Sequence, residues 1–470
     1  MNFPFFPQEI VQYLAVLFCS MGIITCGLQY GWAAASLPHL QDVNDTNKNV
    51  HLSASEGSWA AIGILLGSLV GSPLTGMIVD ILGRKTMILI SNFPYIISWV
   101  TIAYANSSIL LVFGRFMAGL SDGICFTTVP IYIGEISSPQ VRGLLGSSVP
   151  ICLITGVLII NVMELFLSVT NSALMCIIFP LISFLGMLLM PESPYYLIMR
   201  NKKQEALNSL KRFRGTDAVN EEMSRIDKAI KAQTDESNGT LKDIFKVPSN
   251  RRAMLIMLLL RITQQLSGIT ALIFYISIIY KQAGTGFSVQ IFTIIFFAVQ
   301  SVMSLVGSAV VDWTGRRVLI LWSLVGSALS LFIEGVYLHL LQDNVNMPKW
   351  SFVPTTALGM FVVFYGFGLQ NVPLLMVGEL FPTNIKATAA CLSDVYFSIL
   401  ASIVSKYFQY VNTNIGAYLA FYTFGVCCII NFSLVYLFVP ETKGLTLEEI
   451  QMLLQSGKKF KQQLKDIEVG

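Results

Sequence analysis

Three short motifs of acidic and basic residues occur twice in this 470-residue chain, in the same order. They read DILGRK and DWTGRR, then GEISSPQVRG and GELFP, then PES and PET. Guanidinium and carboxylate groups form strong, directional ion pairs, so the pattern indicates ionic cross-linking and not bond-making chemistry. Three matches in one register predict a duplicated unit. The residues of this ionic set are Asp80, Arg84, Glu135, Arg142 and Glu192 in the first copy and Asp312, Arg316, Glu379 and Glu441 in the second.

Other polar residues stand inside apolar sequence, where a side chain without a partner is costly. Gln264 and Gln265 open the segment QQLSGIT, and Gln300 lies in the next apolar stretch. Such amides either face a cavity that takes a polar molecule or hydrogen-bond to a neighbouring helix. Asp122 and Asp394 are also embedded in apolar sequence and are candidate sites for proton coupling.

The elements that carry these residues are apolar stretches long enough to cross a bilayer. The chain is 54% hydrophobic and only 12% charged, whereas a soluble domain is about 25% charged. This composition argues against a soluble enzyme or a nucleic-acid-binding protein. Twelve spans, numbered in chain order, are predicted at 11–36, 58–79, 86–104, 108–132, 144–168, 172–190, 253–280, 288–311, 318–341, 352–378, 388–411 and 415–439.

Two segments of the chain are polar instead. Residues 195–250 are dense in charge and repeat apolar residues at helical spacing, which predicts a helical linker, and residues 445–470 predict a polar helical tail. We therefore predict an all-α membrane protein whose two six-helix bundles, residues 1–194 and 251–444, are related by pseudo-symmetry. The linker is expected to bear on the ionic set at the ends of the spans.

The basic residues predict how the chain is oriented. Of the 30 Lys and Arg residues, 24 fall on one side of the predicted membrane and 3 on the other. The positive-inside rule then places both termini and the linker in the cytoplasm, and we expect the plasma membrane as the location. The sequon at Asn44 falls outside and is a predicted glycosylation site. The eight Cys and three His residues form no cluster typical of a metal site.

The motifs GRK, GRFMAGLSDG, PIYIGEISSPQVRG, PESP, QQLSG, GRR, GELFP and PETKG together resemble the sugar porter family of the major facilitator superfamily. The resemblance spans nearly the whole chain. PESPYYL and GLQNVPLLMVGELFPTNIKA are most similar to insect members of the facilitated trehalose transporter type. The family implies the major facilitator fold, in which parallel repeats give alternating access to a site near the bilayer midplane. It also implies that Gln264 and Gln265 bind the sugar.

The resemblance also allows individual positions of the family's sugar-binding site to be compared with this sequence. Gln300 stands where family members often have a sugar-binding Asn. The chain departs from hexose carriers with Thr270 for Asn, Pro150 for Gln and Leu374 for Trp. Because an amide and a stacking ring are lost, glucose is a poor match as the main substrate. The predicted sugar-binding set is Gln264, Gln265, Thr270, Tyr275 and Gln300.

For the ionic set, the resemblance implies a cytoplasmic gate that locks the two halves together. In that arrangement Arg84, Glu135 and Arg142 form one ionic cluster, and Arg316 pairs with Glu379. The alternative is that the basic residues only follow the positive-inside rule. That rule does not explain the acidic residues, so we predict a gate.

Proton-coupled members of the family carry a carboxylate in span 1, where this chain has Gly31. This difference favours facilitated diffusion. Asp122 is expected to form a static ion pair with Arg115 on the same helix face, or else to couple transport to protons. Asp394 has no favoured partner, although Lys406 lies in the same span.

We therefore predict a facilitative sugar transporter that moves trehalose or a hexose by alternating access. We expect no enzymatic activity, no cofactor and no nucleic-acid partner, and a monomer in the lipid bilayer. Glu164 and Glu334, near the outer ends of their spans, are expected to be solvated, and Gly368 and Pro373 should leave span 10 breakable. The alternatives are a proton-coupled symporter using Asp122 or Asp394, a non-transporting sugar sensor, and a carrier of a polyol or glycoside.

Overall fold

A computed structural model describes residues 10–42, 50–138, 141–216, 218–236, 241–284, 288–343, 350–381, 383–445 and 447–456. Regular structure in these residues is helical, and twelve helices are long and apolar enough to cross a membrane. All twelve predicted spans are confirmed, with ends that shift by a few residues. They are Ile10–Gln41, Ala54–Leu82, Arg84–Ala103, Ser108–Ile136, Arg142–Phe166, Val169–Leu189, Pro248–Gln282, Val289–Val311, Arg316–Gln342, Val353–Leu380, Ile385–Asn414 and Ala417–Phe438.

The distribution of apolar residues is that of a membrane protein. Leu185, Leu329 and Leu437 on the outward faces of the spans are 60%, 59% and 69% exposed. By contrast, Gln29 and Gln265 are completely buried inside the bundle. Apolar surface outside and polar groups inside are stable only where lipid replaces water, so this is a multi-pass membrane protein.

Short helices follow the sixth and twelfth spans. The linker contains Pro194–Met199, Lys203–Arg214, Asn220–Glu236 and Leu241–Lys246, and the tail contains Leu447–Ser456. Linker residues Ala206, Leu210 and Ile226 share a small apolar core apart from the main one.

The linker contacts both halves, and the tail contacts the second half. Arg212 of the linker donates to the Leu189 carbonyl in the first half at 3.0 Å, and the linker helix Leu241–Lys246 packs on spans 7 and 11 of the second half. Gln451 of the tail donates to the Leu380 carbonyl in the second half at 2.7 Å.

Span 7 is broken in the middle of the QQLSG motif. Its two pieces, Pro248–Leu266 and Ile269–Gln282, are joined through Gly268, whose φ is 84°. Residues other than glycine rarely adopt this left-handed backbone conformation. A Cβ at Gly268 would also lie 2.4 Å from the ring of Phe424. Both facts require glycine at the break.

Span 10 is broken as well, into Val353–Phe367 and Val372–Leu380. This confirms the expectation that its glycines and proline leave it breakable. The break frees the Leu369 carbonyl, which accepts a hydrogen bond from Gln264 Nε2 at 3.1 Å. Broken spans of this kind are tolerated in a membrane where they line a cavity.

Replacing Gly268 with alanine should destabilise the fold, because the added methyl group meets Phe424 and the left-handed backbone becomes strained. We expect a loss of about 1–3 kcal/mol in the free energy of unfolding. Thermal unfolding of the detergent-purified protein measures it. Gly359→Ala is the matched control, because nothing lies within 4 Å of a Cβ there. Equal melting temperatures for the two variants would contradict the requirement for glycine at position 268.

Candidate functional site

The first copy of the ionic set joins the ends of spans 2, 3, 4 and 6. Arg84 begins span 3, and its guanidinium lies 2.9 Å from Asp80 and 3.1 Å from Glu135. Glu192, after span 6, accepts the backbone N–H groups of Arg84 and Lys85 at 3.1 and 3.0 Å. A carboxylate at a helix N-terminus satisfies free N–H groups and interacts favourably with the helix dipole. Four span ends are thereby fixed to one another.

The second copy repeats this geometry in the other half. Arg316 begins span 9 and lies 2.8 Å from Glu379. Glu441, after span 12, accepts the backbone N–H groups of Arg316 and Arg317 at 2.9 and 3.0 Å. The Thr442 hydroxyl donates to Glu379 at 2.7 Å, as the Ser193 hydroxyl donates to Glu135 in the first copy. The duplicated motifs therefore produce duplicated contacts.

These ion pairs lie within each half and not between the halves. This corrects the expectation that they lock the two halves together. Arg142 donates to the Ser137 carbonyl at 3.4 Å instead of joining the pair of Arg84, and the Asp312 side chain lies outside the described residues. The pairs brace each half as a unit, and their part in gating stays a prediction.

A cavity of about 120 Å³ lies between the two halves. Tyr30 and Phe126 of the first half and Tyr365 and Phe397 of the second contribute aromatic walls. Apolar walls with a few convergent polar groups are typical of a small-molecule site. The polar lining includes Gln264, Gln265, Thr270, Gln300 and Gln370, together with Arg261 and Asp394.

Several amide atoms in this lining have no hydrogen-bond partner among the residues that the structure describes. Gln265 Nε2, Gln370 Nε2 and Gln300 Oε1 are buried and unpaired. The other ends of these amides are held, because Thr270 donates to Gln265 Oε1 at 2.6 Å and Gln300 donates to Gln370 Oε1 at 3.2 Å. An unsatisfied buried polar atom costs about 1–3 kcal/mol. Two fixed donors and one fixed acceptor are thus available to hydroxyl groups of a ligand.

Four of the five predicted sugar-binding residues line this cavity. Gln264 is among them, but it accepts from Arg261 at 3.0 Å and donates to the Leu369 carbonyl. Both ends of its amide are therefore committed to the protein. Tyr275, the fifth residue, is absent from the lining and stacks on Phe408 with ring centres 5.5 Å apart.

Two residues of the cavity were missed as ligand candidates in the sequence, Gln370 and Arg261. The sequence could have identified both, since Arg261 is a basic residue inside an apolar span and Gln370 is an amide in a breakable segment. Arg261 also supplies the partner of Asp394, at 3.2 Å. The same-span residue Lys406 does not fill that role.

Asp122 and Arg115 do not form the expected ion pair, and that prediction is wrong. Arg115 is completely buried and donates to Gln29 Oε1 at 2.8 Å and to the Ala60 carbonyl at 3.1 Å. Asp122 accepts a hydrogen bond from the Tyr95 hydroxyl at 2.6 Å. The hydrogen bonds of Arg115 thus go to neutral carbonyl oxygens, and Asp122 does not line the central cavity.

The expectation that Glu164 and Glu334 are solvated is also wrong. They are only 9% and 0% exposed. The Ser36 hydroxyl donates to Glu164 at 2.5 Å, whereas no described residue hydrogen-bonds to either carboxylate oxygen of Glu334. Glu164 lines a second cavity of about 230 Å³ with residues of spans 1, 7 and 8.

Two lysines of the second half contact the first half on the face opposite Arg84 and Arg316. Lys406 of span 11 donates to the Ser58 hydroxyl of span 2 at 2.6 Å and lies 3.9 Å from the ring centre of Trp59. Lys281 of span 7 lies 4.0 Å from Asp42, after span 1. Flexible ammonium groups therefore make polar contacts between the halves on this face.

Twelve spans in two similar halves around a polar cavity define a membrane carrier for a small molecule. The profile of the sugar (and other) transporter family matches residues 18–454, and the chain belongs to that family. The fold is the major facilitator fold. The proton:xylose symporter XylE, bound to 6-bromo-6-deoxy-D-glucose, matches with a TM-score of 0.78 at 20% identity over 95% of this chain and all of that one.

The curated relatives confirm the resemblance to insect sugar porters. Facilitated trehalose transporter Tret1 of Bombyx mori is 33% identical over 95% of this chain and 87% of its own length. Tret1 of Anopheles gambiae is 32% identical over 94% of this chain, which spans 55% of that relative's length. These relatives are named as transporters and not as enzymes.

The Glu379→Gln change removes the charge that faces Arg316, and it should destabilise the second half. We expect a loss of about 2–4 kcal/mol in the free energy of unfolding, because the Arg316 guanidinium loses the carboxylate that lies 2.8 Å from it. Thermal unfolding in detergent measures it. Glu205→Gln is the matched control, since the Lys202–Glu205 pair is 54% and 59% exposed, and it should change stability by no more than about 0.5 kcal/mol. A Glu379 variant as stable as this control would argue against the bracing role.

Proposed function

We propose that this protein is a facilitative transporter of trehalose or a related neutral sugar that works by alternating access. The observation that carries the proposal is the set of unpaired amide atoms of Gln265, Gln300 and Gln370 in the cavity between the halves. Sugar hydroxyl groups accept from the two donors and donate to the acceptor. The names of the insect relatives supply trehalose as the first substrate to test.

Facilitated diffusion is favoured over proton coupling by the packing around span 1. A Cβ at Gly31 would lie 2.8 Å from the Val157 carbonyl, so an acidic side chain has no room there. The neighbouring Arg115 donates to the side-chain carbonyl of Gln29 at 2.8 Å and not to a carboxylate. Of the two candidates for coupling, Asp122 stands away from the central cavity and Asp394 is paired with Arg261 at 3.2 Å.

Alternating access requires two bodies that move against each other. The ionic set supports this, because its pairs stay within each half. The contacts of Lys406 and Lys281 on the opposite face are single ammonium interactions, which can break without exposing a buried charge pair. We infer that the halves rock about the central cavity while each half keeps its own braces.

We further propose a plasma membrane location with both termini and the basic ends of the spans in the cytoplasm. The proposed divisions are residues 1–194, 195–250, 251–444 and 445–470, and the transporter is proposed to act as a monomer in the bilayer. Asn44, the predicted glycosylation site, lies outside the described residues and stays a prediction.

Uptake by oocytes that express the protein tests this function. Labelled trehalose, glucose and a polyol are offered at two external pH values. We expect saturable trehalose uptake that is the same at both pH values and causes no change in external pH. Substrate-induced alkalinisation would instead indicate a symporter, and surface expression without any uptake would indicate a sensor.

Replacing Gln265 with leucine should weaken sugar binding, because a fixed donor in the cavity is lost. We expect the KM for the transported sugar to rise about tenfold at similar surface expression. Uptake kinetics provide the measurement. Gln409→Leu is the matched control, since this amide of span 11 bonds to Thr413 and does not line the cavity. An unchanged KM for the Gln265 variant would remove that residue from the binding site.

A further inference from the structure

A buried ion pair joins spans 7 and 11 at the wall of the central cavity. Arg261 lies 3.2 Å from Asp394 Oδ1, and the two side chains are 7% and 16% exposed. Taking two charges out of water is costly, and the cost is recovered only with good geometry and further hydrogen bonds. Both residues line the cavity that is proposed to hold the sugar. The pair therefore belongs to the ligand site and not only to helix packing.

Arg261 is fixed from several directions by groups of the second half. Its Nε donates to the Ser393 hydroxyl at 2.9 Å, and another nitrogen donates to Gln264 Oε1 at 3.0 Å. Its guanidinium carbon lies 5.2 Å from the ring centre of Phe397. A planar guanidinium held in this way presents its remaining edge to Asp394 in one orientation.

The hydrogen bonds of Arg261 decide which neighbouring side chains are free to bind a ligand. Gln264 is occupied at both ends, by Arg261 and by a backbone carbonyl. Asp394 is occupied at Oδ1 only, and no described residue donates to its Oδ2. Besides Gln300 Oε1, the cavity wall therefore offers a carboxylate acceptor, which forms stronger hydrogen bonds with hydroxyl groups than an amide does.

We propose that Asp394 is a direct ligand of the substrate and accepts hydrogen bonds from two neighbouring hydroxyl groups of a neutral sugar, with Arg261 as its positioning residue. This inference rests on the proposed function as a sugar carrier. The open Oδ2 has two lone pairs, so it can accept from hydroxyl groups on two adjacent carbons. Because the pair has no net charge and its open oxygen is an acceptor, the site selects neutral sugars over sugar phosphates and sugar acids.

The test uses the full-length protein, glucose, trehalose and the series of monodeoxyglucoses. Each sugar is scored by competition in uptake and by thermal stabilisation of the purified protein. In the wild type, we expect two of the monodeoxyglucoses, which lack hydroxyl groups on adjacent carbons, to bind about tenfold or more weakly than glucose. Asp394→Asn should raise the KM of the parent sugar about tenfold and leave the maximal rate within about twofold. In this variant, removing either of the two hydroxyl groups should weaken binding much less than it does in the wild type.

Asp394→Asn leaves Arg261 without a counter-ion, so a second variant separates loss of binding from loss of folding. The double variant Arg261→Gln with Asp394→Asn removes both charges together. It should fold and show the same flattened deoxy profile. Arg261→Lys keeps the positive charge but loses the planar guanidinium. It should raise the KM, while binding should still depend on the same two hydroxyl groups of the sugar. Glu334→Gln is the matched control, because this buried carboxylate of the second half does not line the cavity.

A folded double variant with the wild-type deoxy profile would overturn the proposal and make the pair purely structural. Wild-type protein that binds the sugars without transporting them would contradict the proposed function, while the deoxy profile of binding would still decide the role of Asp394. Wild-type protein that neither binds nor transports them would overturn both. Stabilisation by glucose 6-phosphate equal to that by glucose would contradict the selection for neutral sugars.

Discussion

A charged or amide side chain between membrane spans must find its partner inside the protein, because lipid offers none. Arg84 and Arg316 meet carboxylates at the ends of the spans, and Arg115 meets the carbonyl oxygen of Gln29. Arg261 meets Asp394 beside the cavity. Each of these contacts dictates which helix faces turn inward, so the packing of the bundle depends on them. The unpaired amide atoms of Gln265, Gln300 and Gln370 belong to residues of the central cavity, where the ligand is proposed to bind.

The duplicated ionic set also explains how the carrier can be stiff and mobile at once. Glu192 and Glu441 cap the N-termini of spans 3 and 9 in the same way, and each cap stays within its own half. Between the halves, on the opposite face, Lys406 reaches only a hydroxyl and a ring. Separating the halves there exposes one ammonium group to water, which is a small cost compared with breaking a buried ion pair.

The binding site arises where the helices are interrupted. The breaks at Gly268 in span 7 and before Val372 in span 10 bring the amides of Gln265 and Gln370 to one cavity. Thr270 stands where hexose carriers have Asn, and it orients Gln265 by a hydrogen bond. The departures from hexose carriers thus rearrange the polar lining and do not abolish it, which fits a sugar other than glucose as the main substrate.

The amino-acid sequence by itself determined the twelve spans, the duplication and the family, because apolar length and motif spacing are local properties. Only the tertiary structure decided which polar groups meet. It paired Arg261 with Asp394 across 133 positions and Asp122 with Tyr95, buried Glu334, and kept Tyr275 out of the cavity. The hydrophobic effect is not directional, so it places a span in the membrane but leaves its rotation open. That rotation is fixed only when directional hydrogen bonds between distant helices are all satisfied together.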